Sequence, residues 1–476
     1  MAGGLAGVVV LATLAVFVWI GVRARRRDGD VEDYIVARNS QPGSVLGLSF
    51  LAAGMGAWVL FAPPEVGAFV GLVGVAGYAL GAAAPFVVFG LLGRRIRTVL
   101  PAGHSLPEFL RLRFGLPFSR YVTVISVLYM WFFVTAELTA IGGVTSILSG
   151  FPPAAVIVAV AVATLIYTTI GGLRASIQTD RWGAWMILAL LAAAAYAMLV
   201  PIRTTFDAPI GDISSPRSLP MTGQLQVALT LVIAVTAANM FHQGYWQRVW
   251  AARDGRALSR GVVIGSLATI PVVAILGYIG YDAAVRGLQL GEPPVPFFAH
   301  LGQAPLWLSI VVLVLAVALV ASSVDTLEIG FASLIAPETR GATLTTARML
   351  TIGFMVPAVA VALQGFSVLQ LFLIADLICA ATVVPALSSL WRRATGTAAL
   401  AGAAAGLVGA CVASMIAEQS LAGIRLVTMP GGVPQLAPFV GALIASGVVT
   451  VGLSLLGNST TDIEQLGAQV PALSNT

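Results

Sequence analysis

The sequence predicts an all-α polytopic membrane protein of about thirteen transmembrane helices. Three observations predict it. The 476 residues are 58% hydrophobic and only 9% charged, with a mean hydropathy of +0.95, far outside the range of soluble domains. Apolar windows of membrane length recur along the whole chain. The positive charges, all arginine because no lysine occurs, fall mainly in every second connection.

The windows cover 4–22, 44–70, 73–93, 121–148, 154–171, 180–201, 224–250, 261–283, 305–335, 346–364, 367–390, 398–417 and 435–456. The first ends in "RARRRDGD" and not in a small-residue cleavage site, so it reads as a retained helix and not as a signal peptide. The second is interrupted by Gly54, Gly56, Pro63 and Pro64, and the third stops at "GRRIR". "SGFPP" separates the fourth from the fifth, and "IGGLRASIQTDRW" the fifth from the sixth. The seventh carries Gly244 among polar and aromatic residues and runs out in "RVWAARD". The ninth contains "ALVASSVDTLEIG", with Ser322, Ser323, Asp325, Thr326 and Glu328 inside an apolar run. The eleventh ends at "WRR", and the last two follow as a pair.

Placing the first connection in the cytoplasm and alternating thereafter puts 21 of the 25 arginines inside, leaving only Arg203, Arg217, Arg286 and Arg425 outside. This bias predicts an external N-terminus and a cytoplasmic C-terminus in a plasma (inner) membrane. The net charge of +5 therefore belongs to loops. No basic stripe with interleaved aromatics occurs, so nucleic-acid binding is not expected. Cys379 and Cys411 lie in separate apolar runs, with neither disulfide nor metal-ligand spacing.

Interruptions in the second and seventh windows free backbone carbonyls, which at bilayer depth are tolerated only where they line a protein cavity. The two breaks lie five windows apart, as expected for inverted five-helix repeats that each open with a broken helix. The expected organisation is an extra helix and loop at 1–43, a first repeat at 44–201, an external loop at 202–223, a second repeat at 224–390, two further helices at 391–457 and a tail at 458–476.

Buried charge costs about 2.5–3.5 kcal/mol per group on insertion scales, so intramembrane acids are expected to face a cavity, a partner or an ion. Glu65, Glu137 and Asp376 are such acids on the second, fourth and eleventh windows. Satisfaction by nearby hydroxyl or backbone groups is the alternative for each. Trp58 and Phe61 follow the first break at i and i+3, while Asn239 and His242 share a face at the second. Together Trp58, Phe61, Glu137, Asn239, His242 and Asp376 are the expected substrate-binding residues. No arginine lies mid-helix in the second, fourth, seventh or eleventh windows, which favours a neutral or zwitterionic solute such as a proline-like amino acid or urea. No His-Glu-x-x-His and no paired Gly-x-Gly-Asp occurs, so an enzyme is not expected.

At "IYTTIGGLRASIQTDRWGAW" the chain resembles the sodium:solute symporter family through Gly171, Gly172, Leu173, Ala175, Thr179 and Asp180. The glutamine usual three residues past that aspartate is Gly183 here. "YIVARNSQPGSVLGLSF" and "YWQRVWAARD" resemble the family as well. The resemblance implies the leucine-transporter fold and symport of a small solute with sodium, with membrane lipid as surroundings and no obligate protein partner. It implies one sodium held by the carbonyls of Ala52, Met55 and Leu319 and the hydroxyls of Ser322 and Ser323, an oxygen set suited to a hard cation. Gly54 stands where the proline-transporter branch has an aspartate. A second sodium is expected at Asp180, Asp325 and Thr326, since two carboxylates brought close repel unless a cation or proton sits between them. The alternative is that Asp180 pairs with Arg174 or Arg181. Glu328 is left outside that site. The competing functional readings are a proton-coupled symporter of the same fold and a passive channel.

Overall fold

The computed structural model describes residues 1–23, 36–199, 219–290, 295–301, 305–335, 344–420, 428, 433–457 and 460–467. Arg25, Arg26, Arg27, Arg203, Arg217, Arg340 and Arg425, on which part of the orientation rests, lie outside these residues, as does the side chain of Arg174.

The described chain is helical, and its one β-bridge joins Gln41 to Ala252. In order come α1 (Gly3–Arg23), α2 (Gly43–Gly54), a 3-10 turn (Ala57–Leu60), α3 (Ala62–Phe69), α4 (Leu72–Val99), α5 (Leu106–Phe114) and α6 (Leu116–Ser149). They are followed by α7 (Pro153–Leu199), α8 (Met221–Asn239), α9 (Gln243–Ala251), α10 (Gly255–Val285) and the short α11 (Pro296–Ala299). The last are α12 (Leu306–Ile335), α13 (Leu344–Ala362), α14 (Val368–Leu387), α15 (Gly396–Glu418) and α16 (Leu436–Leu456). Ten helices among the described residues are long and apolar enough to cross a membrane, and the pair Gly43–Gly54 and Ala57–Phe69, bent by 62°, makes up to eleven.

The first interruption falls where the sequence places it, and the second falls just before Gly244, which lies inside α9. Met55 and Gly56 are extended, and they turn α2 into the 3-10 segment and α3. Met240 to His242 separate α8 from α9, with three successive short turns in which Met240, Phe241 and His242 donate to the carbonyls of Ala237, Ala238 and Asn239. The fifth and sixth windows run together as α7, kinked at Gly172 with φ 59° and ψ −155°. That conformation is open to glycine and hostile to a residue with a Cβ, which accounts for a glycine there.

α5 was not expected from hydropathy, being a short amphipathic helix. It has a reciprocal cap: Ser105 Oγ accepts from Glu108 N at 3.2 Å, and Glu108 Oε2 accepts from His104 N at 2.8 Å.

The core is built around α12 and α14, whose membrane windows are 72% buried, whereas α16 is 28% buried. α12 packs along α7 and α6, α14 along α6, and α10 against α2, α3 and α4. α3 meets α10 where Gly67 lies on the carbonyl of Gly277 and Gly280 lies on Pro64, the close backbone approach that small residues allow between membrane helices. Around this core the outer surfaces carry exposed Leu91, Leu267 and Val356, which suits a lipid surround. Backbone bonds from Asn39, Ser40 and Gln41 to Trp250 and Ala251 tie the start of the first broken helix to the end of the second.

Candidate functional site: the two broken helices and α12

Each break is stabilised by groups from another helix. In the first, the N–H of Ala57 has no helical partner and donates to Glu137 Oε2 of α6 at 2.8 Å. The carboxylate thus caps a helix N-terminus, where the dipole favours negative charge. It fits because residue 56 is glycine: a Cβ there would overlap the Glu137 carboxylate. The indole Nε1 of Trp58 donates to the Gly54 carbonyl at 2.9 Å.

Ser322 and Ser323 face this break from α12, and both are wholly buried. Ser323 Oγ lies 3.5 Å from Glu137 Oε1. Ser322 Oγ donates to Asp180 Oδ1 at 2.8 Å. Gly183, one turn beyond Asp180, lies against both Ser322 and Ala52: a Cβ built on it would stand 3.2 Å from Ser322 Oγ and 3.4 Å from Ala52 Cβ. The departure from the family glutamine therefore lets α7 close tightly on this spot. Ser322 and Ala52 thus meet at Gly183, while Ser323 reaches the first break through the Glu137 carboxylate that holds Ala57 N; Leu319 lies one turn back on α12.

Asp180 faces Arg248 of α9. Both side chains are wholly buried, and Arg248 Nη2 pairs with Asp180 Oδ2. Ser49 Oγ donates to the same carboxylate at 2.6 Å, and Arg248 Nη2 lies 3.2 Å from Thr326 Oγ1. The arginine that pairs with Asp180 is thus one that the sequence reading counts among the cytoplasmic ones but did not name as its partner. Arg248 is reached because α9 begins again after the break and turns its side chain inward; no sequence periodicity signals this.

Asp325 is held in a ring of hydroxyls. Tyr167 donates to it at 2.8 Å, Ser176 at 2.6 Å and Thr179 at 2.8 Å. Thr326 Oγ1 lies 3.0 Å from Ser176 Oγ. Glu328 is held separately, by Thr164 at 2.8 Å and Thr168 at 2.5 Å.

A cavity with about 40 Å³ open to the centres of water-sized molecules lies beside the first break. Of the expected substrate-binding residues, Trp58, Asn239 and Asp376 line it. Glu137 instead caps the break. Phe61 turns toward Phe298, 5.6 Å between ring centroids, and His242 stands behind the wall, stacked on Tyr245 at 4.3 Å. Both nitrogens of His242 lack a hydrogen-bond partner among the described residues. Sequence reasoning missed Tyr78, Tyr129, Phe133, Tyr245 and Phe372, the other ring-bearing residues of the lining. A signal existed for some of them, since Tyr129 and Phe133, and Phe372 and Asp376, are i and i+4 pairs. Tyr245 had none. Its hydroxyl occupies the space a Cβ on Gly54 would need, so the position where the proline-transporter branch has an aspartate is filled from α9.

The family model described as Sodium:solute symporter family matches residues 34–406. The chain belongs to the sodium:solute symporter family. As a member of it, the chain is a membrane transporter of the secondary, symporting kind, not an enzyme. It is 29% identical over 360 residues to the spermidine transporter DUR31 of Candida albicans, covering 74% of this chain and 68% of that one. It is 24% identical over 441 residues to the urea-proton symporter DUR3 of Oryza sativa, covering 81% and 61%. A sodium/glucose cotransporter of Vibrio parahaemolyticus is 23% identical over 300 residues, covering 58% and 54%. The chain spans about two thirds of the length of the first two relatives. Among solved structures, a substrate-bound, outward-open Na+-coupled sialic acid symporter aligns with a TM-score of 0.70 at 15% identity, covering 96% of this chain and 98% of that one. Mhp1, a nucleobase-cation-symport-1 family transporter, aligns with a TM-score of 0.57 at 13% identity, covering 93% and 100%. These likenesses show the leucine-transporter fold that the family resemblance implied.

Proposed function

We propose that the chain imports a small organic solute with sodium by alternating access, the ion at the first break and the solute in the adjoining cavity. The observation that carries this reading is the convergence of α12 on the α2 break: Ser323 lies by Glu137, which binds the N–H of Ala57, and Ser322 and Ala52 both lie against Gly183. The sodium ligands are the carbonyls of Ala52, Met55 and Leu319 with those two hydroxyls. Glu137, beside Ser323, supplies negative charge that Gly54 does not. The expected second cation at Asp180 is the Arg248 guanidinium itself, already between that carboxylate and Thr326, so one sodium moves per cycle. The solute is not an anion, because the cavity lining holds neither arginine nor lysine. The orientation is N-terminus outside and C-terminus inside.

Uptake into proteoliposomes under separately imposed sodium and proton gradients tests the reading. Sodium is expected to drive accumulation with a Hill slope near one. Accumulation driven by protons alone sustains the proton-coupled alternative, which the likeness to the urea-proton symporter of rice favours; equilibration without accumulation under either gradient sustains a channel. Losing one hydroxyl bond to a charged group costs about 1.5–3 kcal/mol, so Ser322→Ala and Ser323→Ala are each expected to raise the sodium needed for half-maximal uptake about ten-fold or more. Unchanged sodium dependence in the double variant would remove the site.

A further inference from the structure

Five carboxylates are buried in the described membrane helices, and four are partnered. Glu137 has the Ala57 N–H, Asp180 has Arg248 and two serines, Asp325 has three hydroxyls and Glu328 has two threonines. Asp376 of α14 is different. It is 4% exposed, it lines the cavity, and among the described residues it has neither a hydrogen bond nor an ion pair. An acid left so at bilayer depth is costly unless something in the cavity neutralises it.

What surrounds the cavity selects the neutralising group. An unbroken arc of rings runs from Tyr78 to Trp58 (5.7 Å between centroids), on to Phe372 (5.8 Å), Phe133 (4.9 Å) and Tyr129 (6.0 Å). Ring faces attract a weakly hydrated organic cation, and five of the lining side chains are rings of this arc while Asp376 supplies the one formal charge. Phe372 and Asp376 lie one turn apart on α14, so wall and charge share a face. The cavity has no basic side chain to compete for the acid, since Arg248 is bound to Asp180.

We propose that the transported solute is an organic ammonium ion, its charge paired with Asp376 and its alkyl groups held against the Trp58, Phe133 and Phe372 rings. This rests on the cavity being the solute site. It narrows the neutral or zwitterionic expectation: a zwitterion's ammonium would fit, but its carboxylate would meet no basic side chain in the lining.

The test uses the purified full chain in detergent with sodium present. Thermal unfolding is followed against choline, methylammonium and tetramethylammonium chlorides, with 3,3-dimethyl-1-butanol, the uncharged isostere of choline, and urea and proline beside them. A ligand of the folded state raises the unfolding temperature in a saturable way. At least one ammonium is expected to do so and the isostere not, and Asp376→Asn is expected to need at least ten times more of that ammonium while keeping the response to sodium. Phe372→Leu, which leaves the charge, is expected to weaken the ammonium several-fold, and serves if Asp376→Asn does not fold. The proposal is overturned if no ammonium binds, if the isostere binds as well as choline, or if Asp376→Asn binds the ammonium like the parent. Binding of urea or proline instead, with sodium-driven uptake of that solute, overturns the ammonium while leaving sodium symport standing. Absence of any sodium-driven uptake would undo the symport reading itself.

Discussion

Arg248 and Asp180, 68 residues apart in the chain, face each other with neither side chain exposed. They join α9, just past the second break, to the second arm of α7, and Ser49 of α2 binds both, accepting from Arg248 Nε at 2.7 Å while donating to Asp180. The pair thus holds both broken helices to α7 and α12 at one point. Removing one member leaves an uncompensated buried charge, which costs about 3–5 kcal/mol. Arg248→Gln or Asp180→Asn alone is expected to lower the unfolding temperature sharply, and the double variant to recover most of it. A double variant no more stable than the singles would show that the two do not act as a pair.

Gly54 and Tyr245 give a second pairwise test. A Cβ at position 54 overlaps the Tyr245 hydroxyl but would stand 3.1 Å from Cζ. Gly54→Ala is expected to destabilise by about 1–3 kcal/mol, the usual range for overpacking, and Tyr245→Phe in the same chain to relieve much of it. Thermal unfolding of the four proteins gives the coupling directly; additive effects would place the hydroxyl elsewhere.

The cap on α5 carries a pH dependence. Burial pushes the Glu108 carboxyl up, but its hydrogen bonds and charge interaction with His104 and the charge of Arg38 outweigh burial and hold it below its ordinary value. A depressed carboxyl stabilises fully above the unfolded-state value of about 4.3 and loses that contribution as pH falls through the folded-state value. Glu108→Gln is expected to cost about 0.5–2 kcal/mol at neutral pH, the size of a helix cap. The gap in unfolding temperature between the two proteins should persist down to the ordinary carboxylate range and close only in more acid solution. A gap independent of pH would assign the loss to shape and not to charge.

Orientation is tested at the two ends of α10, where Arg256 and Gln289 are both exposed. With Cys379 and Cys411 replaced by alanine, a cysteine at 289 is expected to react with an impermeant maleimide added to intact cells and one at 256 only after lysis. The reverse pattern would invert the arginine assignment.

Legibility differed from residue to residue, for physical reasons. The helix windows were visible because a bilayer imposes length and hydropathy on any segment that crosses it. The first break was visible because Gly54, Gly56, Pro63 and Pro64 cluster there, whereas the second, at Met240–His242, was marked only by its neighbour Gly244; the face shared by Ser322, Asp325 and Thr326 followed from helical spacing. The kink at Gly172 needed the backbone: periodicity does not reveal a single positive φ.

The sequence by itself determined that the chain spans a membrane many times, where its two broken helices lie, and that α12 carries hydroxyls and acids which must be satisfied inside the protein. These follow from local chemistry, because an unpaired carbonyl or carboxylate in hydrocarbon is costly whatever surrounds it. Only the tertiary structure decided which partner satisfies each group. Arg248 took Asp180; hydroxyls of α7 took Asp325 and Glu328; Glu137 took the Ala57 N–H; Tyr245 filled the space at Gly54; and Asp376 was left facing a ring of aromatics. Each choice depends on side-chain contacts between helices distant in sequence, and the separation that makes such contacts possible is set by how the helices pack, which no single window encodes.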